Sequence, residues 1–237
     1  MKSKDMKKVS IILSTYNEAD CIESTINLLR KNIPNLELVI VDDNSPDGTF
    51  EIIKKFEDVN TKVIQRKKTK GLASAFLCGL INTSGDIVGW IDSNMGDLSI
   101  QFPKMISELD SNDIVLLSRY VEGGGDDRNK IRIIASEIIN FICNIFLTFK
   151  IKDFTSSIFV MNRNVLNEVV PLCCGHGEFF IEFLYKCYKK KMKIKELPYI
   201  QSNDATGNSK TAPNLIKFCY VGYFYLLRIF NSRFRRD

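Results

Sequence analysis

Apolar and polar positions alternate in blocks through the first hundred residues. Residues 9–13 form a short apolar run, residues 20–31 carry apolar side chains at helical spacing (Ile22, Ile26, Leu29), and residues 36–41 form a second apolar run closing on Asp42-Asp43. Asp47-Gly48 opens a helix through Phe56, followed by a strand at 62–65, a helix at 72–81 and a strand at 87–91. Strands that alternate with helices predict an α/β fold whose central, mainly parallel sheet is covered by helices on both faces. Right-handed crossovers bring the polar residues after each strand to one edge, so Thr15-Tyr16-Asn17, Asp42-Asp43-Asn44 and Asp92-Ser93-Asn94 should converge.

The second half is less regular. A helix at 103–109, a strand at 114–118, a helix at 131–149, a strand near 158–161, a helix around 179–189 and a strand at 193–197 are predicted. Residues 121–129, rich in Gly and Asp, read as a mobile loop. Neither a repeat nor a linker is visible, and 237 residues fit one large domain.

Composition changes little: 45% hydrophobic and 26% charged residues exclude a disordered or coiled-coil chain. A net charge of +5 suits anionic ligands or an anionic surface better than a nucleic-acid footprint, because the excess gathers at 1–8 and in the last ten residues. Seven cysteines without a C-x-x-C pair, and a single His, argue against a zinc cage or a disulfide framework. The basic start runs into too short an apolar stretch for a secretory signal, so a cytoplasmic location is expected.

Two segments bear on membranes. Residues 131–149 are as long as a span but contain Arg132, Glu137, Asn140 and Asn144, which a simple transmembrane helix avoids. Residues 214–230 hold an apolar and aromatic run at 218–227 between Lys217 and Arg228. That run is too short to cross a bilayer; it suits a helix lying at the headgroup level, or one packed on the core, on a membrane-anchor subunit or on a second copy of the chain.

The first strand is not followed by the glycine fingerprint of dinucleotide enzymes, nor is there a Walker loop. The edge is rich in carboxylates, which repel a diphosphate unless a divalent cation sits between them. The series Ser14-Thr15-Tyr16-Asn17-Glu18, Asp42-Asp43-Asn44-Ser45-Pro46-Asp47-Gly48-Thr49, Lys70-Gly71-Leu72-Ala73, Ser118-Arg119-Tyr120, Asp153-x-Thr155-Ser156 and Gly207-x-Ser209-Lys210 resembles family-2 glycosyltransferases. The similarity is strongest to their dolichyl- or polyprenyl-phosphate mannosyltransferase branch and covers roughly residues 9–210.

The resemblance implies a GT-A fold over 1–212, with a nucleotide-sugar half at about 9–100, an acceptor half at about 101–212, and a C-terminal amphipathic helix at 213–237. It implies that Thr15, Tyr16, Glu18, Asp42, Asp43, Lys70, Gly71, Asp92 and Ser93 bind the donor, a nucleotide-diphospho-sugar with GDP-mannose favoured over UDP-sugars. Arg119, Arg132, Ser136 and Lys210 would surround the phosphate of a polyprenyl or dolichyl phosphate at the cytosolic membrane face. Asp92, Asp153 and Arg119 would be catalytic, Asp153 as a base or an orienting carboxylate. Mg²⁺ or Mn²⁺ would be held by Asp92 and Asn94 with Asp97 auxiliary; alternatively, Gly96 marks a bulge that brings Asp97 in. A saccharide hydroxyl as acceptor, or a non-catalytic nucleotide-sugar-binding subunit, are the other readings.

The sequence departs from the family at three places. Asn94 replaces a metal-site carboxylate, Ser157-Ile158-Phe159 stands where Gly-Phe-Arg is usual, and Asp204 stands where an Arg precedes Gly-x-Ser-Lys. His176 is expected to shape a loop or the acceptor site, and Glu182 to be structural, rather than to react.

Overall fold

The computed structural model describes residues 7–171, 174–202 and 215–235, with the side chains at 215–219 left out. Lys210, the Gly207-x-Ser209-Lys210 motif and Asp204 therefore lie outside the described residues.

Nine strands are described: β1 (Val9–Thr15), β2 (Leu36–Asp42), β3 (Thr61–Gln65), β4 (Ile87–Trp90), β5 (Ile114–Ser118), β6 (Gly125–Asp126), β7 (Phe159–Asn162), β8 (Ile194–Pro198) and β9 (Ile200–Gln201). The helices are α1 (Ile22–Asn32), α2 (Thr49–Lys54), α3 (Leu72–Ile81), α4 (Phe102–Glu108), α5 (Lys130–Phe146), α6 (Val165–Glu168), α7 (Phe179–Lys189) and α8 (Leu215–Phe234), with a 3-10 turn at Gly96–Gln101. The main sheet runs β3-β2-β1-β4-β7-β5-β8, and β6 pairs with β9. This is the mostly parallel, helix-flanked architecture that the block pattern predicts.

Apolar runs form strands buried on both faces, as expected where helices cover both sides of a sheet. On one face Ile11, Leu13, Ile40 and Val160 meet α1 and α4; on the other Ile12, Trp90 and Phe159 meet α3 and α7. Aromatic rings fill the second layer, with Phe76 4.4 Å from Trp90 and Phe159 4.7 Å from Phe180, centroid to centroid.

The structure adds detail to the sheet and corrects one sequence expectation. Within the mainly parallel sheet, β7 runs antiparallel to both β4 and β5. The chain reaches β7 along the carboxyl edge and so delivers residues 153–157 to that edge before turning down into the sheet. The Gly- and Asp-rich loop is also partly tied: β6 lies within it, Gly125 N–H donates to Tyr199 O at 3.0 Å and Asp127 N–H to Gln201 O at 2.8 Å. Backbone pairing with a strand 75 residues later is invisible to local composition.

The helix α8 packs on α7 and α5, with Ile229 fully buried in the aromatic layer. Arg228 locks it in place, donating to Glu182 Oε2 at 2.6 Å and to Cys174 O at 2.8 Å. Glu182 thus serves packing, as expected. No helix among the described residues is long and apolar enough to cross a membrane.

Candidate functional site

The order of strands reverses between β1 and β4: the chain moves outward from β1 to β2 and β3, then returns to the other side of β1. Open α/β sheets bind ligands in the crevice at such a point. Ser93 Oγ donates across it to Ser14 O at 3.4 Å. The loops after β1 and β2 each contain an Asn in the left-handed region, Asn17 at φ 59° and Asn44 at φ 56°, a conformation that Asn adopts more readily than most residues.

The predicted donor residues are brought together here, and two of them are more enclosed than a nucleoside contact requires. Asp42 is fully buried; it accepts from Thr15 Oγ1 at 3.1 Å, from Ser45 N–H at 3.0 Å and from Ser45 Oγ. Asp43 accepts from Arg66 Nε at 2.7 Å and from Gly71 N–H at 2.7 Å. Gly71 has φ +128°, so the residue that turns its N–H onto Asp43 while starting α3 has to tolerate a conformation that side chains disfavour. Arg66 also donates to Ser74 Oγ and Gly71 O. It clamps this corner and was missed in the sequence, where it sits in a basic stretch with Lys67 and Lys68 that reads as solvated surface.

Tyr16 is exposed, and Lys70 Nζ lies 4.5 Å from the centre of its ring and 3.5 Å from its hydroxyl. An aromatic face with a cation beside it, above the Asp43–Gly71 corner, is suited to a base or ribose with a diphosphate. Glu18, in the turn before α1, is tied to both neighbours: its N–H donates to Thr49 Oγ1 at the start of α2 at 2.9 Å and its carboxylate accepts from Cys21 Sγ at 3.2 Å.

At the end of β4, Asp92 is half-buried, and its two oxygens accept from different elements: Oδ1 from Trp90 Nε1 at 3.3 Å, Oδ2 from Ser157 Oγ at 2.7 Å. The antiparallel entry into β7 puts Ser157 there. Asn94 is exposed beyond it. The bulge reading of Gly96 is corrected: β4 has already ended at Trp90, and Gly96 opens the 3-10 turn. Its missing side chain lets the turn press on α1, since a Cβ there would lie 2.6 Å from Thr25 Oγ1. Asp97 is on the exposed side of that turn. Among the described residues no three His, Cys, Asp or Glu side chains gather into a metal-ligand group. One oriented carboxylate beside an exposed amide oxygen still fits Mg²⁺ or Mn²⁺, which are commonly held by one or two protein carboxylates together with substrate phosphate and water.

Toward β5 the chemistry changes to paired charges. Arg119 forks onto Asp153, with Nε to Oδ2 and Nη2 to Oδ1 both at 2.8 Å, and its backbone N–H joins Oδ2 at 3.1 Å. Its remaining donors reach Thr155 Oγ1 at 2.6 Å, Gln201 Oε1 at 3.1 Å and Asp126 Oδ2 at 3.4 Å. Burial disfavours the guanidinium charge, but the Asp153 carboxylate more than restores it, and Arg119 is held above its ordinary pKa. Asp126 also receives Arg128, with Nε to Oδ1 at 2.9 Å and Nη2 to Oδ2 at 2.7 Å. Burial raises the Asp126 pKa less than the Arg128 hydrogen bonds and charge lower it, so this carboxyl is held below its ordinary value.

Arg128 Nη2 continues to Ser136 Oγ at 2.9 Å, and Asn140, a turn further along α5, donates to Thr155 Oγ1 at 2.9 Å. Arg132 shares the Ser136 face of α5, four residues earlier. The cluster therefore brings together Arg119, Ser136 and Asp153, three of the residues singled out from the sequence, and adds Asp126, Arg128, Asn140 and Gln201. Asp126 and Arg128 lie in the loop read as mobile, and Gln201 is 82 residues from Arg119, so no local signal marked them. With both oxygens engaged and no exposed surface, Asp153 holds Arg119 in this arrangement; of its two sequence readings the geometry fits the orienting carboxylate.

His176 closes this side. Its N–H donates to Glu178 Oε2 at 2.8 Å, and burial lowers its imidazole pKa while the charges of Glu178 and Asp92 pull it upward.

Comparisons with known proteins agree with this architecture. The dolichol-phosphate mannosyltransferase of Pyrococcus furiosus is 33% identical over 227 residues, 93% of this chain and 63% of the relative. The undecaprenyl-phosphate mannosyltransferase of Micrococcus luteus is 30% identical over 122 residues, 49% of this chain and 50% of the relative. The chain thus spans between half and two thirds of these curated relatives. Glucosyl-3-phosphoglycerate synthase from Mycobacterium tuberculosis, in a structure with Mn²⁺, UDP and glucosyl-3-phosphoglycerate, shares the fold at a TM-score of 0.72 and 16% identity, covering 98% of this chain and 81% of that one. The same synthase with Mg²⁺ and UDP matches at a TM-score of 0.71 and 17% identity, over 98% and 81% of the two chains. The family model described as glycosyl transferase family 2 matches residues 10–170, and the chain belongs to that family.

Proposed function

We propose that the chain catalyses inverting transfer of a hexose, mannose in the favoured case, from a nucleotide-diphospho-sugar to a polyprenyl or dolichyl phosphate at the cytosolic face of a membrane. The observation that carries this reading is the saturation of Asp153 by Arg119. A hydroxyl acceptor needs a positioned base, whereas a phosphate monoester is already anionic near neutral pH, its second pKa being about 6. With both buried carboxylates of the described Arg cluster, Asp153 and Asp126, taken up by guanidinium groups, the site is better suited to a phosphate nucleophile. The two relatives whose names specify polyprenyl-phosphate mannosyl transfer support the same acceptor class.

In this reading Tyr16, Lys70 and the Asp43–Gly71 corner bind and orient the nucleoside diphosphate, while Arg128, Ser136 and Arg132 receive the acceptor phosphate. Lys210, outside the described residues, would join them. A divalent cation, held by Asp92 with Asn94, would supply positive charge against the leaving diphosphate. Ser157 and Trp90 fix the direction of the Asp92 carboxylate, and Asp153 keeps Arg119 charged and in place. Alignment and charge neutralisation are the main contributions such a site can make.

The test is transfer of radiolabelled sugar from GDP-mannose and UDP-glucose into lipid-extractable product, with Mg²⁺ or Mn²⁺ present. Product dependent on added polyprenyl phosphate is expected. Label appearing only in a saccharide, or no transfer from a folded protein, overturns the proposal.

A further inference from the structure

A guanidinium offers a planar fork that fits a carboxylate or a phosphate, but one face of it cannot hold both at once. The fork of Arg128 is taken. Asp126 accepts from Arg128 Nε at 2.9 Å and Nη2 at 2.7 Å, from the Arg128 N–H at 3.2 Å and from Arg119 Nη1 at 3.4 Å, and its side chain is only 5% exposed. Arg119 and Arg128 are thus balanced by Asp126 and Asp153, and these four groups sum to zero charge. A phosphate dianion seated among them gains no net positive charge to offset the loss of its water. For Arg128 to receive it, one carboxylate has to leave.

The two carboxylates are held differently. Asp153 is fully buried and, besides the Arg119 fork, accepts the backbone N–H groups of Arg119 and Thr155 and the Thr155 hydroxyl, each at 3.1 Å. Asp126 lies on the two-residue β6, directly after Gly123 and Gly124, with Gly123 at φ +83°. The hydrogen bonds that tie β6 to β9 come from the Gly125 and Asp127 N–H groups. Rotation of the Asp126 side chain therefore releases Arg128 without breaking either of them.

We propose that Asp126 is the resting counter-ion of Arg128, held in the place of the acceptor phosphate until a phosphate monoester displaces it, and that it thereby selects charged acceptors over neutral ones. The inference rests on the acceptor reading above and deepens it. A monoester carries nearly two negative charges at neutral pH, more than the single charge Arg128 gives up. Ser136 Oγ accepts from Arg128 Nη2 at 2.9 Å, which keeps the guanidinium in place while its partner changes. A saccharide hydroxyl is neutral and offers Arg128 nothing in exchange, so Asp126 stays paired and does not become a base for it.

The test is calorimetry of the full chain with inorganic phosphate, with a short water-soluble isoprenyl monophosphate, and with GDP and UDP. If Asp126 closes the fork in about nine tenths of the molecules without phosphate, Asp126→Asn should bind the first two about tenfold more tightly than the parent and the nucleotides equally well. Asp126→Glu, which keeps a carboxylate opposite Arg128, should bind as the parent does. Equal or weaker phosphate binding by Asp126→Asn would make Asp126 a structural partner of Arg128 and overturn the proposal. So would a gain shared by Asp126→Glu, or a gain for the nucleotides alone. Hydrogen exchange on the parent needs no variant: the Arg128 amide, which donates to Asp126 Oδ1, should exchange faster when phosphate saturates the site, and unchanged or slower exchange also overturns the proposal. Sugar transfer separates this inference from the acceptor reading. Tighter phosphate binding by Asp126→Asn, with no transfer to any phosphate by parent or variant, would remove the acceptor reading and leave the exchange of anions standing. Transfer to the isoprenyl phosphate with the same KM in parent and variant would do the reverse.

Discussion

At the β1–β2 end of the sheet edge, buried Asp42 is held by the hydroxyls of Thr15 and Ser45 and by the Ser45 N–H, and buried Asp43 by the single guanidinium of Arg66 and the Gly71 N–H. At the β5 end, Arg119 reaches Asp153 and Gln201, 34 and 82 residues away, and shares Asp126 with Arg128. The first arrangement has one guanidinium among neutral donors, and it leaves Tyr16 and Lys70 facing solvent. The second is a desolvated network of two guanidiniums and two carboxylates. Removing one charge from such a network strands another in a poorly solvated place, so the β5 end should be the brittle one.

Substituting Asp153 by Asn tests that contrast most severely. Arg119 would be left buried without its main counter-charge, and stability should fall by about 3–5 kcal/mol, read as a lower denaturant midpoint. Unchanged stability with abolished turnover would instead make Asp153 a base and favour a hydroxyl acceptor. Next in size is Asp92→Asn at the end of β4, where the fold should survive and sugar transfer should drop by about 10²–10³-fold. Loss of Mn²⁺-dependent nucleotide binding by calorimetry should accompany it.

A smaller effect is expected at Glu37 on β2. Burial raises its pKa, but hydrogen bonds from Ser10, Ser84 and Lys8 more than offset this, and the carboxyl is held far below its ordinary value. Its stabilisation is therefore complete above the unfolded pKa of about 4.3 and is lost as pH falls toward the folded one. Glu37→Gln should cost about 1–3 kcal/mol at neutral pH, and the difference from the parent should shrink on acidification. A gap that stays constant with pH would refute this. Smallest is Lys70→Ala, which removes one exposed cation beside Tyr16 and should weaken nucleotide affinity about two- to fivefold without changing the unfolding midpoint.

The same contrast explains which parts of the molecule could be read from the chain. Residues 9–100 were legible almost to the residue: α3 spans Leu72–Ile81 as predicted, and β1, β2 and β4 end within two residues of expectation. Their apolar periods and turn residues are local signals. Arg66 was not legible, because a basic stretch looks the same whether its first residue faces water or a buried Asp43. Asp126, Arg128 and Gln201 were hidden by distance along the chain and by a glycine-rich composition that resembles an open loop.

The segment at 131–149 shows the limit most directly. Its apolar content and embedded polar residues argued against a transmembrane helix, which agrees with the structure, yet helical periodicity defines two faces without saying which one turns inward. Here Asn140 and Ser136 turn inward with Ile139, Ile142 and Cys143, because they find partners in Thr155 and Arg128, and a second stripe of Ile and Phe is left outside. The sequence by itself determined the α/β fold, the convergence of the β1, β2 and β4 loops and the family, since all three rest on patterns spanning a few residues. Only the tertiary structure decided that β7 runs backward to bring Ser157 onto Asp92, that Arg119 is already paired, and that α5 leaves its second Ile and Phe stripe outside. Those outcomes depend on which distant groups satisfy buried charges and hydrogen bonds, and that matching is made only when the chain is folded.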